Sequence, residues 1–411
     1  DEIVVGDTGS ADATVAIAER YGARVVCVPW TDDFAAARNC VLREAQGDWL
    51  LHLDADEVVD PAGARRIREL IDVDGCGVDA VEVILANYCD TPRAWRWVPV
   101  APGDAMARGF AGYIAVLLPR LFRNRRGFEY REPVHESITE SILENGGVLC
   151  SDRILIHHYG YQPDGESDGE KVRRYLAICR KKVVQRPYDA KAWHDLAEQA
   201  LACGDATEAE AACRKALDLD SLHVGAATAL ANLLLNRGDL LEAERLFRNL
   251  ELAGVSPPHV VMTLGAIAGR LGRLDESRAR LEAVASAMPG STIARYYLAR
   301  TLDRLGDAEG ARAQLEEAVK TVPGLCEFRN YLRAHDLRCE GERLFGAGQL
   351  GRALDTLVES LRLEPEDPLT QNDIGVVLHA LGDTARARES FERALKLAPG
   401  MSEALDNLEH C

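Results

Sequence analysis

The chain has 411 residues, a formal net charge of −18, 47% hydrophobic and 28% charged residues, and nowhere the run of roughly eighteen apolar residues that a transmembrane helix needs. That length sets an expectation of roughly two to three domains, and the acidic balance argues against sequence-independent nucleic-acid binding, which rests on clustered Lys and Arg releasing counterions. Eleven cysteines without a C-x-x-C pair fit a reducing cytoplasm and read as small, buried apolar groups.

The chain opens at Asp1 without a signal peptide and inside what reads as a strand. From 1 to about 161, short β-branched runs alternate with amphipathic stretches, the pattern of an α/β domain. The runs 3–5, 23–28, 49–53 and 80–84 read as strands, and 12–21, 34–45 and 61–71 read as helices, the last with Pro61 in its first turn. Region 88–126, rich in Trp, Pro, Gly and Arg, reads as loops able to cover a substrate.

Residues 2–14 read E-I-V-V-G-D-T-G-S-A-D-A-T. Asp7 stands at a strand end, Gly9 frees the backbone, and Ser10 or Asp12 caps the next helix, a layout that suits a nucleotide on a sheet edge. Residues 30–39 follow as W-T-D-D-F-A-A-A-R-N, and 49–57 as W-L-L-H-L-D-A-D-E. An apolar strand running into Asp54 and Asp56 places two carboxylates, pointing the same way, where open α/β sheets collect ligands. Hard cations such as Mg2+ and Mn2+ take one or two carboxylates and leave other positions to phosphate. Taken alone, a D-x-D is equally a helix cap or a solvated turn.

Residues 162–169, Q-P-D-G-E-S-D-G, break the pattern. The expected domains are therefore 1–165, a connecting stretch at 166–189 with a basic helix over 170–186, and an all-helical part at 190–411. In that part Gly204, Gly238, Gly272 and Gly306 recur every 34 residues, as do Gly348 and Gly382. Small residues five positions on, including Ala209, Ala243 and Ala311, let paired helices approach. Pro289, Pro323, Pro365 and Pro399, seventeen positions on, stop the second helix of their copies. Trp193, Leu196, Ala197, Gly204, Ala209 and Ala216 carry the pattern of the first copy. The array resembles the tetratricopeptide repeat family, in six copies over 190–400. Eight extra residues separate the fourth and fifth copies, within 324–334, and 402–411 reads as the start of a capping helix.

The N-terminal motifs, D-T-G-S, W-x-D-D-F-A-A-A-R-N and L-D-A-D-E in that order, resemble family 2 glycosyltransferases of the GT-A fold. That resemblance implies an α/β, Rossmann-like domain that lacks its first β-α unit here, and so an exposed sheet edge and low activity for this chain. It implies transfer of a sugar from a nucleoside-diphosphate sugar to an acceptor, with inversion, aided by Mn2+ or Mg2+. Asp7 matches the acid that reads the base, Arg38 a basic residue near the nucleotide, and Asp54 and Asp56 the metal and diphosphate motif. An ion pair of Arg38 with Asp32 or Asp33 is the alternative reading. Residues 119–123, P-R-L-F-R, and 131–136, R-E-P-V-H-E, resemble acceptor-side segments, with Glu136 as the expected base and His135 second. Residues 156–161, I-H-H-Y-G-Y, resemble the segment that gives a third metal ligand, His158. Strand alternation does not decide between His157 and His158, because burial could favour either face.

By the same resemblance the repeats offer a concave groove to a protein or peptide, with His194, Asn232, Met262, Tyr296, Arg300 and Asn372 on it. A non-enzymatic repeat scaffold carrying an inactive transferase domain is the competing reading.

Overall fold

The computed structural model describes residues 1–72, 77–91, 97–101, 103–159, 167–322 and 326–411. Residues 162–166 of the expected break, Gly160 and Tyr161, and Pro323 and Gly324 of the repeats lie outside the described residues. The chain folds into two units, one of Asp1–Cys89 with Pro102–Ala226, the other of Asp90–Ala101 with Ala227–Cys411.

In the first unit, β1 (Val4–Asp7), α1 (Thr14–Arg20) and β2 (Arg24–Cys27) form a β-α-β turn, with β1 and β2 parallel from Val4↔Arg24 to Asp7↔Cys27. This pair is separate from the larger sheet. Next come α2 (Phe34–Glu44), β3 (Trp49–Leu51), β4 (Glu57–Val59), α3 (Pro61–Ile71) and β5 (Ala80–Tyr88). After β6 (Trp97–Pro99), which belongs to the second unit, the chain forms β7 (Gly112–Arg123), α4 (Thr139–Glu144) and β8 (Leu149–His158). The larger sheet runs β3-β7-β5-β8-β4 along its main path. Val81, Val83, Leu85, Leu121, Ile154 and Ile156 bury one face against Ile67 of α3; Ala80, Phe122, Tyr130, Ile138 and Ile142 pack with Ala35 of α2.

Two sequence expectations are corrected here. The run 49–53 stops at Leu51, turns, and re-enters the sheet as β4. The stretch 88–126, expected to be loops, contains β7, which sits inside the sheet between β3 and β5. Pro119 has no N–H to give to the ladder. The fold accommodates it at a bulge: Glu82 pairs with Pro119 and Val81 with Leu121, so Arg120 is the extra residue. Bulges re-aim a side chain at the point where pairing is interrupted, and Arg120 is the side chain turned here.

Among the described residues the helical part consists of α5 (Ser167–Gln185), six helix pairs and a last helix. The pairs are α6 (Ala190–Ala202) and α7 (Ala206–Leu219), α8 (Val224–Arg237) and α9 (Leu240–Leu252), and α10 (Pro258–Arg270) and α11 (Leu274–Ala287). They continue with α12 (Thr292–Arg304) and α13 (Ala308–Thr321), α14 (Cys326–Gly346) and α15 (Leu350–Leu363), and α16 (Pro368–Ala380) and α17 (Thr384–Leu397), before α18 (Ser402–Glu409). The six repeat glycines adopt φ between 74 and 88°, the left-handed conformation that reverses the chain between paired helices. The extra residues lengthen a helix: α14 has 21 residues where the first helix of another copy has 13. Among the described residues no cysteine forms a disulfide, and no helix is long and apolar enough to cross a membrane.

Close helix approach makes a direct prediction at Gly375 of α16, where a Cβ would lie 2.4 Å from the Phe391 ring of α17. Helix propensity alone would favour Gly375→Ala by up to about 1 kcal/mol, whereas overpacking costs about 1–3 kcal/mol. Because Phe391 is buried and its ring cannot swing into solvent, the second effect wins. Gly375→Ala should lower the thermal midpoint; an unchanged or raised midpoint would contradict the tight α16–α17 contact.

Candidate active site

The turn between β3 and β4 is built by Glu57. Its backbone N–H donates to the Asp54 carbonyl at 3.0 Å, and its carboxylate accepts the Asp54 backbone N–H at 2.8 Å. Glu57 is 8% exposed, and the bulge residue Arg120 meets it at 2.6 Å. Burial pushes the Glu57 carboxyl up while Arg120 opposes the shift. A buried carboxylate stands only with a partner and satisfied hydrogen bonds, so Glu57 and Arg120 hold each other and fix the loop that presents Asp54 and Asp56.

Arg38 comes in from α2. Asp33 caps that helix by accepting the Ala36 N–H at 2.8 Å, and the Phe34 N–H donates to the Pro133 carbonyl at 3.0 Å. Asp32 meanwhile takes the Trp30 indole N–H at 3.1 Å and lies 3.3 Å from the Lys181 ammonium. Arg38 therefore does not pair with Asp32 or Asp33, the alternative raised from sequence. Its Nε donates to Glu136 at 2.7 Å and its Nη1 to Asp54 at 2.8 Å, while Arg120 reaches the other Asp54 oxygen at 3.4 Å. Burial alone would raise the Asp54 carboxyl, but the charges of Arg38 and Arg120 outweigh it and hold it at about 2. His52 lies between the guanidiniums, beside the Tyr130 hydroxyl at 2.6 Å. Burial and then the two Arg charges push its imidazole well below the ordinary value, so His52 is neutral at pH 7.

Asp56 and His158 meet because β4 pairs with β8 in the register Glu57↔His158. His158 Nδ1 is 2.6 Å from the Asn87 side-chain oxygen and Nε2 is 3.2 Å from Asp56 Oδ2. An amide oxygen only accepts, so Nδ1 carries the proton. Nε2 then faces a carboxylate, and two acceptors at that distance require a proton or a cation between them. His157 instead stacks under Tyr88, whose hydroxyl lies 2.8 Å from Nδ1, and is buried.

The structure thus brings Arg38, Asp54 and Glu136 together, and Asp56 with His158. Asp7 commits its carboxylate to its own turn, accepting the backbone N–H of Ser10 at 3.1 Å and of Gly9 at 3.2 Å. His135 turns toward α6, with Nε2 3.1 Å from the Gln199 amide. Among the described residues, the ligand atoms that all fall within 4.8 Å of one another are those of His135, Asp195 and Glu198. The Asp195 carboxylate there already holds the Lys182 and Lys191 ammonium groups at 2.6 and 3.1 Å, which take a cation's place. A cleft of about 670 Å³ is lined by Asp33, Asn39, Tyr130, Arg131, Glu132 and Arg186, among others, and not by Asp54 or Asp56.

Of the expected groove residues, Met262, Tyr296 and Asn372 are buried, and His194 packs on His223 with ring centroids 4.8 Å apart. The Tyr296 hydroxyl donates to Glu364 at 2.7 Å, and Arg300 lies 3.2 Å from the same carboxylate. Asn232 is exposed. Sequence reading did not single out His52, Glu57, Asn87 or Arg120. His52 and Glu57 lie inside the L-H-L-D-A-D-E motif and Arg120 inside P-R-L-F-R, whereas Asn87 meets His158 only through the β5–β8 register.

A carboxyl depressed in the folded state adds stability that is complete above the unfolded value, near 3.9, and is lost as pH falls through the folded one. NMR titration of Asp54 should therefore give a midpoint at about 2, moving up toward the ordinary value in Arg38→Met. An ordinary midpoint in the wild type would refute the double guanidinium contact.

Residues 1–138 match the model of Glycosyl transferase family 2. Residues 166–322 match the Cilia and flagella-associated protein 70 middle TPR-like domain, and 340–402 a Tetratricopeptide repeat. A TPR repeat-containing protein of Synechococcus elongatus is 31% identical over 196 residues, 46% of this chain and 43% of that protein. An uncharacterized glycosyltransferase of Rickettsia conorii is 44% identical over 171 residues, 41% of this chain and 54% of that one. The SPbeta prophage-derived glycosyltransferase SunS of Bacillus subtilis is 21% identical over 196 residues, 46% of this chain and 41% of SunS. The chain spans about half the length of these relatives. It joins an N-terminal family 2 glycosyl transferase domain to tetratricopeptide repeats.

Proposed function

We propose that this chain transfers a sugar from a nucleoside-diphosphate sugar to an acceptor with inversion, and that its repeats recruit a protein or peptide that is the acceptor or a partner. The observation that carries the reading is one guanidinium, Arg38, shared by Glu136 and Asp54 beside the Asp56–His158 pair. Asp7 reads the base, and Arg38 and Asp54 face the nucleotide. Asp56 and His158 hold a divalent cation, Mn2+ or Mg2+, and Asp54 joins them only once its guanidinium partners Arg38 and Arg120 have turned to the donor phosphates. The donor set fits such an ion: carboxylate oxygen and a neutral imidazole nitrogen whose other N–H is held by Asn87. When bound, the cation supplies positive charge against the leaving diphosphate.

Glu136 is the base that deprotonates the acceptor, in preference to His135, because Glu136 adjoins Arg38 and Asp54 while His135 faces α6. A carboxylate bound to guanidinium is a poor base. A donor diphosphate competes for Arg38, however, and so releases Glu136 only when the donor is in place. Charge on the diphosphate grows as the sugar departs, so Arg38 binds the transition state more strongly than the ground state, the difference that accelerates a reaction.

Calorimetric titration with Mn2+ should show binding that weakens by at least about tenfold in His158→Ala and by about 10–100-fold in Asn87→Ala, which only orients the ligand. Equal affinity in both variants and the wild type would overturn the metal site. Glu136→Gln should lower kcat by about 10²–10⁴ with little change in donor KM; a loss under about tenfold would remove Glu136 from the role of base.

A further inference from the structure

The loop that carries Glu136 has a second face. Arg131 and Ser137 exchange backbone hydrogen bonds at 2.9 and 3.0 Å, closing a seven-residue loop. Within it Val134 is buried in the α/β domain, and Glu136 reaches Arg38. Glu132 and His135 point the other way, toward α5 and α6. Both have positive φ, 82° and 56°, a conformation that residues other than glycine keep only when their surroundings hold them there.

We propose that Lys182 of α5 is the positioning residue that holds this loop, and through it Glu136, in register with Arg38. Its side chain is 1% exposed, and its ammonium lies between the carboxylates of Glu132 on the loop and Asp195 of α6, the latter at 2.6 Å. Arg186 supports Glu132 from the end of α5, Lys191 supports Asp195 from 3.1 Å, and Gln199 of α6 meets His135. Without the Lys182 cation, two poorly hydrated carboxylates would face each other across the helix–loop contact with only the half-exposed Arg186 and Lys191 left to balance them, and losing the buried partner of a buried charge is strongly destabilising. The loop would relieve this by moving Glu132 toward solvent. Glu132 and Glu136 are four residues apart in a loop tied at both ends, so movement of one displaces the other. The helices that precede and begin the repeat array thereby set the position of the proposed base from outside the α/β sheet. The consequence for turnover rests on the transferase reading; the hold on the loop does not.

Hydrogen exchange of the peptide 131–137 and of the Arg38 Nε–H, compared across Lys182→Met, Glu132→Gln and the double variant, tests the inference. Both readouts should quicken by at least about tenfold in each single variant, with α7 unchanged. The double variant should be no faster than Lys182→Met, since removing the Glu132 charge as well leaves no carboxylate on the loop to be stranded. If Lys182→Met does not fold, Glu132→Gln alone decides, because it leaves the Lys182–Asp195 pair intact. Exchange in a folded Glu132→Gln that stays within about twofold of wild type would overturn the proposal, as would fully additive effects. Absence of turnover with every donor sugar would remove the transferase reading without altering either readout.

Discussion

Two guanidiniums threaded between three carboxylates hold the candidate site together. Read along the chain of contacts, Glu136, Arg38, Asp54, Arg120 and Glu57 alternate in sign, each within 3.4 Å of the next. Asp54 stays partly in contact with water, but Glu136, Arg38, Arg120 and Glu57 are largely withdrawn from it, and charges so placed persist only with their partners, because deleting one strands its neighbours. That requirement constrains the backbone in four places. Helix α2 must be capped so that Arg38 points inward, and β3 must end at Leu51 so that Asp54 can turn back. β7 must bulge at Pro119 so that Arg120 enters, and the 131–137 loop must reverse twice to present Glu136. His52 fits between two cations because it is neutral.

The same constraint ties the α/β domain to the helices α5 and α6. One side of the 131–137 loop answers to Arg38, the other to Lys182, Arg186 and Gln199 on α5 and α6. The hydrogen-bonded ends of the loop allow neither side to move independently. Stability and site geometry are therefore coupled through a lysine that resembles an ordinary core cation. Further along the repeats, Tyr296, Arg300 and Glu364 satisfy one another, so polar residues at groove positions contribute to holding the array as well as to any surface it offers.

The repeats were legible because their signal is periodic. Glycine, small residues and proline recur at fixed spacing, each for a backbone or packing reason, and an insertion appears as a break in phase. That it would lengthen α14 instead of forming a loop was not legible, since either outcome keeps the later copies in step. In the α/β domain the carboxylates of the β3–β4 turn were visible as a motif on a strand end. Their partners were less so. Arg120 lay in a stretch whose Trp, Pro, Gly and Arg content read as loops and so masked a central strand, and Asn87 is 71 residues from His158, joined to it only by sheet register. The choice between His157 and His158 depended on that register too, because alternation says which residues share a face and not what each face meets. Lys182 was read as part of a basic connecting helix; nothing local distinguishes a buried lysine from its exposed neighbours Arg180 and Lys181.

The central claim is that the Arg38–Asp54–Glu136 arrangement beside Asp56 and His158 works on a nucleoside-diphosphate sugar. The most direct measurement is release of nucleoside diphosphate from a panel of UDP-, GDP- and dTDP-sugars, with and without Mn2+. The account predicts that at least one donor is turned over, that Mn2+ accelerates it, and that Asp56→Ala abolishes the acceleration. No metal-dependent release from any donor would contradict it and favour a repeat scaffold that carries an inactive transferase domain.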